Sequence, residues 1–307
     1  MSGTPGKPVP RRRRFPGLSD AAFYGVMAVI GGTYVVLVLL LLVADVGYVM
    51  QSRGGEGLLH WLTRDNPIIE ALAKEEIRYS IVLSLVSCTL SAILSVWVAV
   101  PLGYLLARFA FPGRNVIDAI LDIPIVLPPL VIGLSLLILF QFWPFIAKLG
   151  SMLPFPTPWD SESLNSLIVY QVPSVVIAQF MVASAFAVRV MRATFDHINP
   201  RCEQVALTLG CSRAQAFGYV VLPEARRGML TAFTLAWARS LGEFGPLLIF
   251  SGATRNKTEV LSTTIFLELS IGDLEAAVAV SLLMVFSAVI VLIVVRSLGM
   301  HEPIVRL

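Results

Sequence analysis

The sequence predicts an all-α, polytopic membrane protein with six transmembrane helices. Three observations carry this reading. Only 14% of the 307 residues are charged, against about a quarter in soluble domains, and mean hydropathy is +0.80, so hydrocarbon rather than water is the main solvent. Six apolar runs each have the roughly 20 residues a helix needs to cross a core of about 30 Å. The basic residues between the runs are dense on alternate sides, as in a chain oriented by its positive loops. A net charge of +3 is too small to point to nucleic acid.

Residues 1–20 open the chain as a basic tail, rich in Pro and Gly and holding Arg11, Arg12, Arg13 and Arg14. That composition predicts disorder. The apolar run that follows, about Phe23 to Val43, is of full spanning length and no small-residue cleavage site stands after it. Residues 21–48 are therefore expected as a retained first helix rather than a signal peptide. Residues 49–79 form an outer segment, and 80–297 hold five further spans: about Ser80–Ala107, Val116–Phe142, Leu167–Val188, Gly228–Phe250 and Leu274–Val295. The segments 49–79 and 143–166 are too short to enclose a core of their own. Residues 298–307 are a short tail.

Six spans place both termini on one side. That side would gather the arginines at 11–14, Arg108, Arg114, those between 189 and 227, Arg296 and Arg306. The other side holds Arg53, Arg64, Lys74, Arg78, Lys148, Arg255 and Lys257, which are fewer. The richer side is the cytoplasm by the positive-inside rule, so both termini and the 189–227 loop are expected there.

Within that loop, "EQVALTLGCSRAQAFGYVVLPEARRG" (Glu203 to Gly228) is carefully punctuated. Glu203 to Leu209 favour a helix. Gly210 is suited to a left-handed C-cap, and Ser212 with Gln215 has the spacing of a capping box. A second short helix carries Phe217, Val220 and Val221, and Pro223 after Leu222 is expected to stop it. A plain connection needs fewer residues and no caps. Two readings stand: a helical pair that docks into a partner's groove through Ala206, Leu209 and Phe217, or a loop packed on its own membrane domain.

Four features of the spans invite a functional reading, each beside a structural one. Ser80, Ser84, Ser87, Ser91 and Ser95 lie on one helical face; such a face serves close helix packing or lines a path offering hydroxyl donors to a passing anion. Pro124, Pro128 and Pro129 interrupt the third span, as a structural kink or as broken backbone beside a cavity. Arg239 and Glu243 stand four apart in the fifth span, as an internal ion pair or with Arg239 lending positive potential to an anion path. Gly242, Gly245 and Pro246 would loosen the same span. Asp118 and Asp122 read as acids favourable to a helix N-terminus, and Asp273 as a cap for the sixth span.

Catalytic and cofactor signals are missing. Cys88, Cys202 and Cys211 form neither a disulfide framework nor a metal set, and His60, His197 and His301 are scattered. No phosphate loop occurs; "GTPGKP" has the wrong spacing. The chain is expected to be non-enzymatic, with no metal or cofactor of its own. A secondary transporter would need coupling-ion ligands near the midplane, where Arg239 and Glu243 are the few candidates.

The punctuated stretch resembles the cytoplasmic coupling loop of ABC-transporter permeases. That pattern is Glu-Ala-Ala, three residues, Gly, nine residues, an aliphatic, one residue, Leu-Pro. Ala206, Gly210, Val220, Leu222 and Pro223 match it; Gln204 stands at the glutamate position with Glu203 one earlier, and Val205 at the first alanine. "DIPIVLPPLVIGLSLLILF", "ARSLGEFGPLLIFSG" and "TEVLSTTIFLELSIGDLEAAVAVSLLM" resemble the molybdate, tungstate and sulfate branch, a likeness covering about residues 77–297. The resemblance implies a type I ABC importer permease-like fold in the cell inner (plasma) membrane, working as a dimer, a second copy being expected. Two cytosolic ATP-binding subunits, holding ATP and Mg²⁺, would dock on Glu203, Gln204, Ala206, Gly210, Ser212, Phe217, Leu222 and Pro223. A substrate-binding protein would deliver the oxyanion, molybdate or tungstate before sulfate. Ser84, Ser87, Ser91, Pro128, Pro129, Arg239 and Glu243 are the path candidates.

Overall fold

The computed structural model describes residues 18–52, 67–142 and 168–299. Every regular element among them is helical. The expected tails at 1–17 and 300–307, and most of the outer segments, lie outside the described residues. The chain divides into two compact units, Met1–Gly55 and Glu56–Leu307. The first is α1, Leu18–Ser52, a helix whose apolar side chains are exposed along its length, as a lipid-facing span allows.

The second unit holds α2 (Pro67–Ala73), α3 (Glu75–Arg108), α4 (Arg114–Val126), α5 (Pro129–Phe142) and α6 (Val172–His197). The loop helices α7 (Pro200–Thr208) and α8 (Arg213–Ala216) follow, then α9 (Arg226–Leu241), α10 (Leu261–Ser270) and α11 (Leu274–Gly299). Its centre is α3 against α6 and α9. The contact surface is built from small side chains, Ala92 and Ala99 of α3, Ala183 and Ala187 of α6, Ala232 and Ala236 of α9. In lipid there is no hydrophobic drive between helices, so close backbone approach through small residues is what holds such a bundle. The serine face of α3 belongs to the same contact: Ser80, Ser84, Ser87, Ser91 and Ser95 are all buried. Ser240 of α9 donates to Ser91 at 3.3 Å, and the Leu261 amide donates to Ser84 at 2.8 Å. This is the geometry that close packing requires.

Among the described residues, four helices are each long and apolar enough to cross a bilayer, five if the bent pair α4 and α5 is one span. That differs from six continuous spans at two places. The prolines divide the third span, where Leu127 is extended and the path bends by 111° between α4 and α5. The fifth span ends early at Leu241; Gly242–Phe244 is non-helical, Gly245 and Pro246 resume the helix, and a π turn, Leu247–Ser251, follows. The two breaks pack on each other. A Cβ on Gly245 would lie 3.0 Å from Pro129 Cβ, and one on Gly133 would lie 2.7 Å from Pro246 Cα. Only glycine admits that approach, and irregular backbone at membrane depth persists where protein covers it.

Asp273 does cap α11, its Oδ1 accepting from the Ala276 amide at 3.0 Å. Asp118 and Asp122 do something other than complement a dipole. α4 begins at Arg114, so neither lies in its first turn. Asp122 pairs with Arg189 at 2.6 Å and Asp118 with Arg192, joining α4 to α6.

Candidate functional site

The loop between α6 and α9 is built as its punctuation predicts up to Ser212. Asn199 caps α7 by accepting from the Arg201 amide at 3.0 Å. Gly210 has φ +94°. With that turn, the Cys211 amide reaches the Ala206 carbonyl and the Gly210 amide reaches Leu207, both at 3.1 Å, the paired bonds of a Schellman ending. Ser212 and Gln215 form the reciprocal capping box, at 2.8 and 3.3 Å.

Past Ser212 the loop differs from expectation. Pro223 does not stop the second helix. Phe217–Val221 widens into a π turn, Leu222–Glu224 continues helical, and α9 starts at Arg226. A proline inside a helix lacks its N–H and crowds the carbonyl four residues back; the wider turn just before Pro223 relieves both. The loop therefore runs into α9 rather than ending ahead of it.

The outward face is also different. Ala206 is only 7% exposed, and Phe217 packs inward against Tyr104, ring centroids 4.7 Å apart. Ala206 is thus turned away from the surface, and Phe217 is half-buried. The large apolar side chains exposed on the loop are Val205, Leu209 (80% exposed) and Tyr219 (78% exposed). Helical geometry explains the choice: Arg201, Gln204, Val205 and Thr208 share one face of α7, all of them exposed, while Ala206 and Glu203 turn the other way. Glu203 is therefore not a spare acid for the outward face. Its carboxylate accepts from the Tyr104 hydroxyl and lies 3.6 Å from Arg108 Nε, leaving Gln204 outside. Sequence reasoning missed Val205, Tyr219, Tyr104 and Arg108; the face of α7 was the available signal for Val205.

Deeper in the bundle, Arg239 and Glu243 pair at 2.6 Å. Glu243 is 1% exposed, whereas Arg239 keeps a third of its side chain open and lies 5.7 Å over the Phe186 ring. The pair sits where α9 ends, beside the Gly245–Pro129 contact, with Ser262 donating to the Glu243 carbonyl at 2.6 Å. Of the other path candidates, Ser84, Ser87 and Ser91 are enclosed by neighbouring helices, while Pro128 and Pro129 form the bend.

At the end of the unit opposite the loop, Arg255 joins Glu76 of α3 to Glu268 of α10, the latter at 3.0 Å. Glu259 is fully buried there and neither carboxylate oxygen has a hydrogen-bond partner among the described residues; the nearby Thr264 hydroxyl donates to the Val260 carbonyl at 3.0 Å. Burial pushes the Glu259 carboxyl above the usual range. No group of His, Cys, Asp and Glu fit to hold a metal occurs among the described residues.

Comparison with known proteins follows this architecture closely. Over 290 residues, 94% of this chain and 95% of the relative, it is 28% identical to the sulfate transport system permease protein CysT of Salmonella typhimurium. It is 37% identical to a probable molybdenum ABC transporter permease of Haloferax volcanii over 70% of this chain and 73% of the relative. A molybdate/tungstate transport system permease of Thermococcus kodakarensis is 30% identical over 71% of this chain and 74% of that protein. Among solved structures, a bacterial alginate ABC transporter in complex with an alginate pentasaccharide-bound periplasmic protein contains a chain of the same fold. The TM-score is 0.68 at 15% identity, covering 93% of this chain and 97% of that one. Residues 99–306 match the family described as the binding-protein-dependent transport system inner membrane component, and the chain belongs to that family.

Proposed function

We propose that this permease carries a tetrahedral oxyanion, sulfate or molybdate and tungstate, across the cell inner membrane, with both termini and the α6–α9 loop in the cytoplasm. The observation that carries the substrate class is that long-range relatives of both kinds, sulfate permeases and molybdenum or molybdate/tungstate permeases, match most of the chain. They favour the class over either member of it. The chain supplies no catalysis. Two ATP-binding subunits dock on the outward face of α7 and α8 and hydrolyse ATP with Mg²⁺, a substrate-binding protein delivers the anion, and a second copy completes the path.

Within the path, Arg239 is the residue best placed to attract an anion without trapping it. Glu243 pairs with it from the buried side, and its open third leaves the guanidinium accessible. A weak site suits transit, since conduction needs binding loose enough to release. The test is uptake into proteoliposomes holding the full transporter, with sulfate, molybdate and tungstate competing against one another. One oxyanion winning, with phosphate-free buffer making no difference, supports the class. Uptake indifferent to all three refutes it.

A further inference from the structure

The α6–α9 loop is held by side chains of a helix it does not adjoin in sequence. Glu203 of α7 is held by Tyr104 and Arg108, near the end of α3. Arg108 also donates to the Ile198 carbonyl at 2.8 Å, beside the start of α7. The Tyr104 ring meets Phe217, on the far side of the Gly210 turn, and Phe195 of α6 at 5.6 Å. Arg108 and Glu203 are 10% and 15% exposed, so water competes little for the contact. Both halves of the loop are thus gripped by one turn of α3.

We propose that Tyr104 and Arg108 are transmission residues: through Glu203 and Phe217 they make α3 move with the loop when a docked ATPase displaces it. The proposal rests on the reading of the loop as the ATPase dock. α3 is suited to carry such a displacement. It is a helix of 34 residues whose serine face is locked between α6 and α9, and its far end is tied by Glu76 to Arg255. A push on the loop is thereby delivered directly to α3 and along it to the opposite end of the unit, whereas a loop attached only at Ile198 and Arg226 would reach α3 only through α6 and α9. Coupling of this kind needs a physically continuous chain of contacts with two arrangements; the clasp is the link at which the chain leaves the loop.

The test uses the complete transporter in proteoliposomes, with Tyr104→Phe and Arg108→Gln made singly and together. Tyr104→Phe keeps the ring and its packing on Phe217 and removes only the hydroxyl, so it folds even if the double variant does not. The expected result is an intact complex, ATP hydrolysis within about twofold of the parent, and oxyanion moved per ATP reduced roughly tenfold, the weight of one hydrogen bond to a charged group. An unchanged ratio overturns the proposal, and so does a parallel fall in hydrolysis and uptake, which marks a merely structural role. The docking reading is tested separately by Val205→Ser with Leu209→Ser: loss of the copurifying ATPase supports it, and retention refutes it whatever Tyr104→Phe does.

Discussion

Replacing Gly210 with valine isolates the turn on which the loop depends. The space around Gly210 is open, with nothing within 4 Å of a Cβ built there, so a larger side chain meets no neighbour. The whole effect comes from φ +94°. An L-residue in left-handed backbone costs about 1–2 kcal/mol, more when β-branched. The alternative is to abandon the turn and lose the two 3.1 Å bonds to Ala206 and Leu207, about 1 kcal/mol each. Either route costs about 2 kcal/mol, which changes the population of the native loop up to roughly thirtyfold. Asparagine tolerates left-handed backbone and should keep most of the function. The assay is initial-rate uptake with ATP hydrolysis measured in parallel: Gly210→Val uncouples the two while membrane insertion stays normal, and Gly210→Asn is mild. Normal uptake in the valine variant would show the turn to be dispensable. Equal damage from asparagine would show that side-chain bulk, not φ, is what the site excludes.

Further outcomes follow from single contacts. Arg239→Gln leaves Glu243 buried and unpaired, at a cost of about 3 kcal/mol or more, read as a lower Tm in detergent. Arg239→Gln combined with Glu243→Gln should recover the Tm but not the uptake; recovery of uptake would show that Arg239 serves only the pair. Glu259 is a carboxyl held above its ordinary range by burial. Its stability contribution is complete below the unfolded value of about 4.3 and is lost as pH rises through the higher folded value. Glu259→Gln should therefore raise Tm at alkaline pH, with the gain shrinking as pH falls; a gain that grows on acidification would contradict the assignment. Tyr219→Ser, on the outward face of the loop, should weaken ATPase copurification several-fold without shifting Tm.

What was legible in the sequence is what local chemistry specifies. Gly210 and the Ser212–Gln215 box are signalled by residue types at fixed spacing, and each forms as its side chains dictate. The Arg239–Glu243 pair follows from helical spacing in an apolar run. Other features depend on tertiary packing. Pro223 reads as a helix stop, yet a π turn absorbs it, because continuing into α9 keeps Ala225 and Val221 buried. Gly242, Gly245 and Pro246 read as a soft place in a span; that the helix breaks outright at Gly242–Phe244 is set by Pro129 and Leu130, packed on Gly245 from more than a hundred residues away in sequence. The clasp on Glu203 spans 99 positions and carries no local signal. The inward turn of Phe217 onto Tyr104 was hidden for the same reason.

The account stands most directly on whether transport by this permease requires an ATPase at its loop. Uptake of labelled sulfate and molybdate should be measured in proteoliposomes holding the permease with its ATP-binding subunits and its binding protein, each then omitted in turn. The account predicts uptake only when all are present with internal ATP, and none from an imposed ion gradient. Gradient-driven uptake by the permease alone would contradict it.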